Sequence, residues 1–133
     1  QAQIDNKGLS DVIKMKGITN DIIKEYQGHS LYVMTSRSEG FPLVLIEAST
    51  CGLPIVSFDC PNGPAEIVKH GENGFLISPV GNVDSMANYI IQLISDSSLR
   101  RKMGQRSLEL SERFKIEKIS KEWVKFYKNL INS

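Results

Sequence analysis

Ser36-Arg37-Ser38-Glu39-Gly40-Phe41-Pro42-Leu43-Val44-Leu45-Ile46-Glu47 reads as the end of a strand, a tight loop and the opening of a helix, with a carboxylate on either side. Upstream, Leu31-Tyr32-Val33-Met34-Thr35 is a β-branched and aromatic run suited to a pleated, buried surface. Pro42 stands where a helix can begin, because its missing N–H is one of the unpaired donors of a first turn and its φ is preset. The helix is expected to run to Cys51, with Gly52 closing it in the left-handed conformation. Pro54-Ile55-Val56-Ser57-Phe58 follows at once as a second apolar strand. Strand, glycine-containing loop, helix and strand in that order predict a right-handed parallel crossover, the unit of an α/β fold.

Parallel α/β sheets bind ligands outside the carboxyl ends of their strands, and Glu39 falls there. Free N–H groups at the start of the next helix, near Leu43 and Val44, carry about half a positive charge and favour a phosphate or diphosphate. Gly40 lets that backbone approach a ligand closely. Glu47 lies one to two turns into the helix, so the two carboxylates do not share a helical face. A ligand common to both must be long.

Working outward, residues 1 to 10 are polar and suggest a helical tail ended by Gly8. Asp11-Val12-Ile13-Lys14-Met15-Lys16 alternates as a strand does, and Gly17 breaks it. Asn20-Asp21 can cap a short helix from Ile22 to Gln27 with Ile22, Ile23 and Tyr26 as its apolar face. His29 could be an acid–base group, but a histidine at a helix exit reads more simply as a surface or capping residue. Downstream, Asp59-Cys60-Pro61-Asn62-Gly63-Pro64 is a turn-rich loop expected to face the same crevice as Glu39. Asn62 and Gly63 either line a ligand or simply make the turn. Ala65 to His70 reads as a helix, with Glu66 favoured by the dipole of its first turn and His70 as a charge at its end. Phe75-Leu76-Ile77 completes a count of about four strands.

From residue 80 onward the chain turns helical. Val83, Ala87, Ile90, Ile91 and Ile94 recur at helical spacing, with Asn82 or Asp84 as cap. Ser97 can open another helix carrying Leu99, Met103 and Leu110, whose Arg100, Arg101 and Lys102 read as a solvated face. Ile116, Ile119, Trp123, Phe126, Tyr127 and Leu130 stripe a last helix that is otherwise decorated with Lys115, Lys118, Lys121, Lys125 and Lys128.

A length of 133 residues with 41% hydrophobic content suits one domain with an ordinary core, residues 80–133 forming its helical tail. With 16 basic and 15 acidic residues the net charge of +1 gives no argument for nucleic acid. No apolar run nears the ~20 residues of a membrane span, and the opening residues lack a signal-peptide layout. Cys51 and Cys60 have no metal-ligand spacing and are expected as reduced thiols in a cytoplasmic protein. Dinucleotide, Walker, HExxH and GxSxG motifs are absent, which removes the common nicotinamide, ATP, metalloprotease and serine-hydrolase readings.

Glu39 and Glu47 flank seven residues, and with Gly40-Phe41-Pro42 they resemble the E-x7-E signature of retaining glycosyltransferases of family 4. The resemblance continues through Glu47 to Val56, Gly63 to Val68 and Gly71 to Ile77, with the helical tail matching in pattern only. It implies the C-terminal, donor-binding Rossmann-like domain of the GT-B architecture: a parallel sheet with flanking helices that holds a nucleotide-diphosphate sugar. By the same resemblance Glu39 would contact the sugar hydroxyls, the backbone from Gly40 through Phe41, Pro42 and Leu43 to Val44 would meet the diphosphate, and Glu47 would bond the ribose. Gly17 and Ile18 look like the edge that meets the base. It implies transfer with retention, without metal or cofactor, to a glycan or lipid-linked acceptor in polysaccharide biosynthesis.

The family's domain opens with two further βα units bearing an arginine and a lysine for the diphosphate, and its acceptor-binding domain precedes them. Neither lies in this sequence, so the expectation is a truncated domain, inactive alone, since each charge-assisted hydrogen bond lost is worth ~1.5–3 kcal/mol. A missing inner strand would leave an open edge that invites edge-to-edge dimerisation. A GT-B nucleotide-sugar epimerase and a non-catalytic interaction module are the alternatives. A glycosidase is disfavoured because its two carboxyl groups must face each other ~5–5.5 Å apart across a cleft. The lysines of the last helix could rest a full-length enzyme on the inner face of a membrane, although lysines spread round a helix usually just solubilise it.

Overall fold

A computed structural model, describing residues 1–132, carries three strands in one sheet: β1 (Tyr32–Met34), β2 (Ile55–Phe58) and β3 (Gly74–Ile77). They stand in the order β1-β2-β3, both pairs parallel, with Val33 opposite Val56 and Val56 opposite Phe75. Helix α3 (Leu43–Thr50) crosses from β1 to β2 and α4 (Pro64–Ile67) from β2 to β3. The remaining helices are α1 (Ala2–Asn6), α2 (Ile22–Gln27), α5 (Val83–Ser95), α6 (Ser97–Ser111) and α7 (Ile116–Ile131), with a 3-10 turn at Glu112–Phe114.

The two-residue period of the strands divides the core into layers. Val56, Phe58, Phe75 and Ile77 join Met86, Leu93 and Met103 of the later helices. Ile55 turns the other way, to Met34, Leu45, Ile67 and Val68. β2 is buried on both faces, as a central parallel strand must be. Helix α3 ends as its glycine predicts. Gly52 has φ +74, its N–H reaches Ser49 O at 3.0 Å and the Leu53 N–H reaches Ala48 O at 3.1 Å. Those two bonds occupy carbonyls the helix cannot pair internally.

Several expectations are corrected. Residues 11–16 form no strand: Val12 and Met15 are 75% and 70% exposed, and no strand of the described residues lies beside them to supply a ladder. The sheet therefore has three strands and not four. In α2 only Tyr26 is buried, while Ile22 and Ile23 face outward. α4 stops at Ile67 instead of His70, because Asn73 ties it off: its Oδ1 accepts from Lys69 N–H at 2.7 Å and its Nδ2 donates to Ile67 O at 3.3 Å. His70 is thus not a charge at a helix end; its Nδ1 lies 3.0 Å from Leu76 O and 3.2 Å from Leu76 N.

The α5 stripe is also rotated from the expected one. Met86 and Leu93 are buried, whereas Val83, Ile91 and Ile94 are exposed. Tyr89 sets the rotation by stacking on Phe75 of β3, ring centres 4.2 Å apart. Asn82 caps α5 by accepting from Ser85 N–H, and Asp96 caps α6 by accepting from Leu99 N–H. Arg100 is not merely solvated, since it donates to the Leu93 and Ile94 carbonyls at the end of α5. α6 then lies along α3, close enough that a Cβ on Gly104 would fall 2.3 Å from Gly52 O. No residue of α7 is buried: Trp123, Phe126 and Tyr127 touch one another and are each more than half exposed. Among the described residues no helix is long and apolar enough to cross a membrane.

Candidate functional site

β1 ends at Met34, and the chain leaves the sheet in the loop that carries Glu39, which is half-buried. Pro42 anchors this loop with a fully buried ring. Gly63, from the loop after β2, packs on it so tightly that a Cβ there would lie 2.3 Å from Pro42 Cδ. Gly63 also has φ +116 and the preceding Asn62 has φ +65, so the Asn62–Gly63 turn presses Gly63 inward and leaves Asn62 exposed. On the other side Phe41 meets Phe114 edge-on, ring centres 6.2 Å apart. The turn at Gly40–Pro42 is therefore held by two neighbours.

The helix start departs from expectation in one donor. Pro42 is the capping residue and not the first helical one, and the Leu43 N–H is turned onto Phe41 O at 2.9 Å. That amide is not available to an anion. The Val44 N–H has no backbone partner among the described residues, nor has that of Gly40 or Phe41. Leu43 and Val44 themselves are exposed, 61% and 37%.

Glu47, in the second turn of α3, reaches toward α2, where the Tyr26 hydroxyl donates to its Oε2 at 3.0 Å. Tyr26 packs edge-on against Tyr32, ring centres 5.6 Å apart. Burial, then the bond to Glu47, holds the Tyr26 phenol well above its usual range. The Tyr32 phenol is raised by burial first, then by the negative charges of Glu47 and of Glu39. Tyr32 thus lies within electrostatic reach of both carboxylates. Burial, and then the charge of Glu39, raises the thiol of Cys60 in the loop after β2.

Gly17 and Ile18 stand in the open: Gly17 has φ +73 and a Cβ there would meet nothing within 4 Å, and Ile18 is 99% exposed. Their segment is tied to α2 by the ion pair of Lys16 with Glu25, and α2 is tied to the site by Tyr26. His29 is the cap expected of it, its Nδ1 on Glu25 O. No group of three or more His, Cys, Asp or Glu side chains among the described residues could hold a metal. Cys51 and Cys60 are free thiols. Sequence reasoning missed Tyr26 and Tyr32 as site residues. Their signal was a phenol on a face otherwise meant for burial, since a buried hydroxyl needs a partner.

Residues 1–109 match the family described as glycosyl transferases group 1. An exopolysaccharide phosphotransferase of Streptomyces coelicolor is 38% identical over 130 residues, 97% of this chain and 14% of that protein. Staphylococcus aureus TarM, solved with Fondaparinux, alpha-GlcNAc-glycerol and UDP, superposes with a TM-score of 0.88 at 33% identity over 99% of this chain and 26% of its own. Anabaena HepE in complex with UDP gives 0.89 at 31% identity, over 96% of this chain and 35% of its own. The chain therefore spans about a third or less of the length of the relatives it matches. With its three-stranded parallel sheet and flanking helices it has the Rossmann-like fold of the GT-B glycosyltransferases, and it belongs to the glycosyl transferases group 1 family.

Proposed function

We propose that this chain is the donor-binding part of a retaining hexosyltransferase of family 4, holding a nucleotide-diphosphate sugar for transfer to a glycan or lipid-linked acceptor. The observation that carries the reading is the turn between Glu39 and Glu47, where the N–H groups of Gly40, Phe41 and Val44 have no backbone partner among the described residues. Glu39 accepts hydrogen bonds from the sugar hydroxyls at the reacting end. Glu47 accepts from the ribose diol, a task for which an ionised carboxylate has about four acceptor sites. The diphosphate lies between them, against the amides of Gly40, Phe41 and Val44 at the positive end of α3. Gly17 and Ile18 border the base, and Asn62 borders the sugar from the loop after β2. The UDP in the TarM and HepE structures supports a uridine nucleotide as the first donor to try.

No metal enters this scheme, because peptide N–H groups and cations from the rest of the enzyme oppose the diphosphate charge. The exposed stripe of α7, Trp123, Phe126 and Tyr127, is the face on which the acceptor-binding domain closes. The enzyme acts in the cytoplasm in polysaccharide assembly, where α7 lysines outside that stripe can face an anionic leaflet.

Ligand-observed NMR with UDP-, GDP- and ADP-sugars tests the reading on the full-length protein. Saturable binding of one nucleotide class, abolished by Glu47→Ala, is expected. Absence of binding by all three contradicts it.

A further inference from the structure

Glu47 can serve a ribose diol only if its carboxylate is already aimed, and a glutamate on a helix surface has three rotatable bonds with which to wander. In this chain it does not wander freely. The Tyr26 hydroxyl holds Oε2 at 3.0 Å from the neighbouring helix α2, and Tyr26 is itself only 6% exposed. Its ring is clamped edge-on by Tyr32, ring centres 5.6 Å apart. Ala48 and Leu53 complete the apolar seat of the Tyr26 ring. Asp21 caps α2 by accepting from Lys24 N–H at 3.1 Å, and Lys16 pairs with Glu25, so the helix that carries the phenol is fastened at its own ends.

We infer that Tyr26 is a positioning residue that presets Glu47 for the ribose hydroxyls of the donor, and so sets the preference of the site for a ribonucleotide. The inference rests on the reading of Glu47 as the ribose contact. One lone pair of Oε2 is engaged by the phenol, which leaves Oε1 and the outer side of Oε2 for two hydroxyl donors. Tyr26 touches no ligand in this scheme. Its contribution is to remove rotamers that Glu47 would otherwise lose on binding.

The test compares UDP with 2′,3′-dideoxy-UDP by calorimetric titration of the full-length protein and of its Tyr26→Phe variant. Phe keeps the ring and its contact with Tyr32, and Tyr26→Met fills the same space as a second hydroxyl-free variant. Both variants are expected to bind UDP about three- to tenfold more weakly, while dideoxy-UDP binding stays unchanged, because the lost order matters only to ligands that use Glu47. In turnover the donor KM should rise by the same factor with kcat at saturating donor held. Equal losses for both nucleotides in both variants would mean that Tyr26 merely supports the fold, and a UDP preference left intact by both variants overturns the inference alone. Wild-type protein that binds the two nucleotides equally overturns the reading of Glu47, and this inference with it.

Discussion

At the scale of single residues, the proposed scheme gives the two glutamates of the E-x7-E stretch separable tasks. Glu47 is held by Tyr26 and would read the ribose, while Glu39 would read the reacting sugar. Glu39→Gln is expected to lower kcat/KM by about 10²-fold or more, since it weakens hydrogen bonds at the reacting centre. UDP without a sugar should bind the variant as it binds wild type. Steady-state kinetics beside a UDP titration check this, and a parallel loss of UDP affinity would count against the assignment. Cys60 offers a second probe of the same corner. Burial, and then the charge of Glu39, raises its thiol, so little thiolate forms near neutrality. Iodoacetamide should therefore label the half-buried Cys51 well before Cys60, as read by peptide mass spectrometry; the reverse order would contradict the burial of Cys60.

At the scale of elements, glycines and prolines made the middle of the chain legible. From Leu31 to Ile77 each strand and helix is bounded by a residue whose backbone preference has a mechanism, such as Pro42, Gly52 and Pro64. The candidate site was legible for the same reason, because a carboxylate, a glycine and a proline between a strand and a helix limit where each can point. What was not legible depends on distant partners. The strand pattern at residues 11–16 lacks, among the described residues, a neighbour to pair with, the rotation of α5 is decided by Tyr89 on Phe75, and the early end of α4 is decided by Asn73. None of these is encoded in local periodicity. Close packing between elements supplies a prediction with an unusual sign. Replacing a mid-helix glycine by alanine normally stabilises by about 0.5–1 kcal/mol. Gly104→Ala should instead destabilise by about 1–3 kcal/mol, because its Cβ would meet Gly52 O at 2.3 Å and push α6 from α3. Gly63→Ala should cost about 2–4 kcal/mol through its left-handed backbone and its contact with Pro42, and should weaken nucleotide binding too. Urea denaturation reads both, and a gain in stability for Gly104→Ala would refute the α3–α6 packing.

At the scale of the whole molecule, the chain is a layered α/β unit, and none of the residues of its helix α7 is buried. Trp123, Phe126 and Tyr127 lie exposed on α7, beside a groove of about 390 Å³ lined by Ile119, Glu122, Trp123 and Phe126. If the acceptor-binding domain closes there, the Trp123 fluorescence of the full-length enzyme is shielded from acrylamide and that of residues 1–133 alone is not. Equal quenching in the two would show that α7 stays uncovered. In the proposed scheme a nucleotide diphosphate rests at the turn after β1, on the amides between Glu39 and Glu47, with its ribose at Glu47. The most direct measurement is titration of UDP into the ¹⁵N-labelled full-length protein. The account predicts saturable shifts of the Gly40, Phe41 and Val44 amides, with the Leu43 amide, already bonded to Phe41 O, responding least. Saturable binding that leaves the Gly40, Phe41 and Val44 amides unmoved would contradict it.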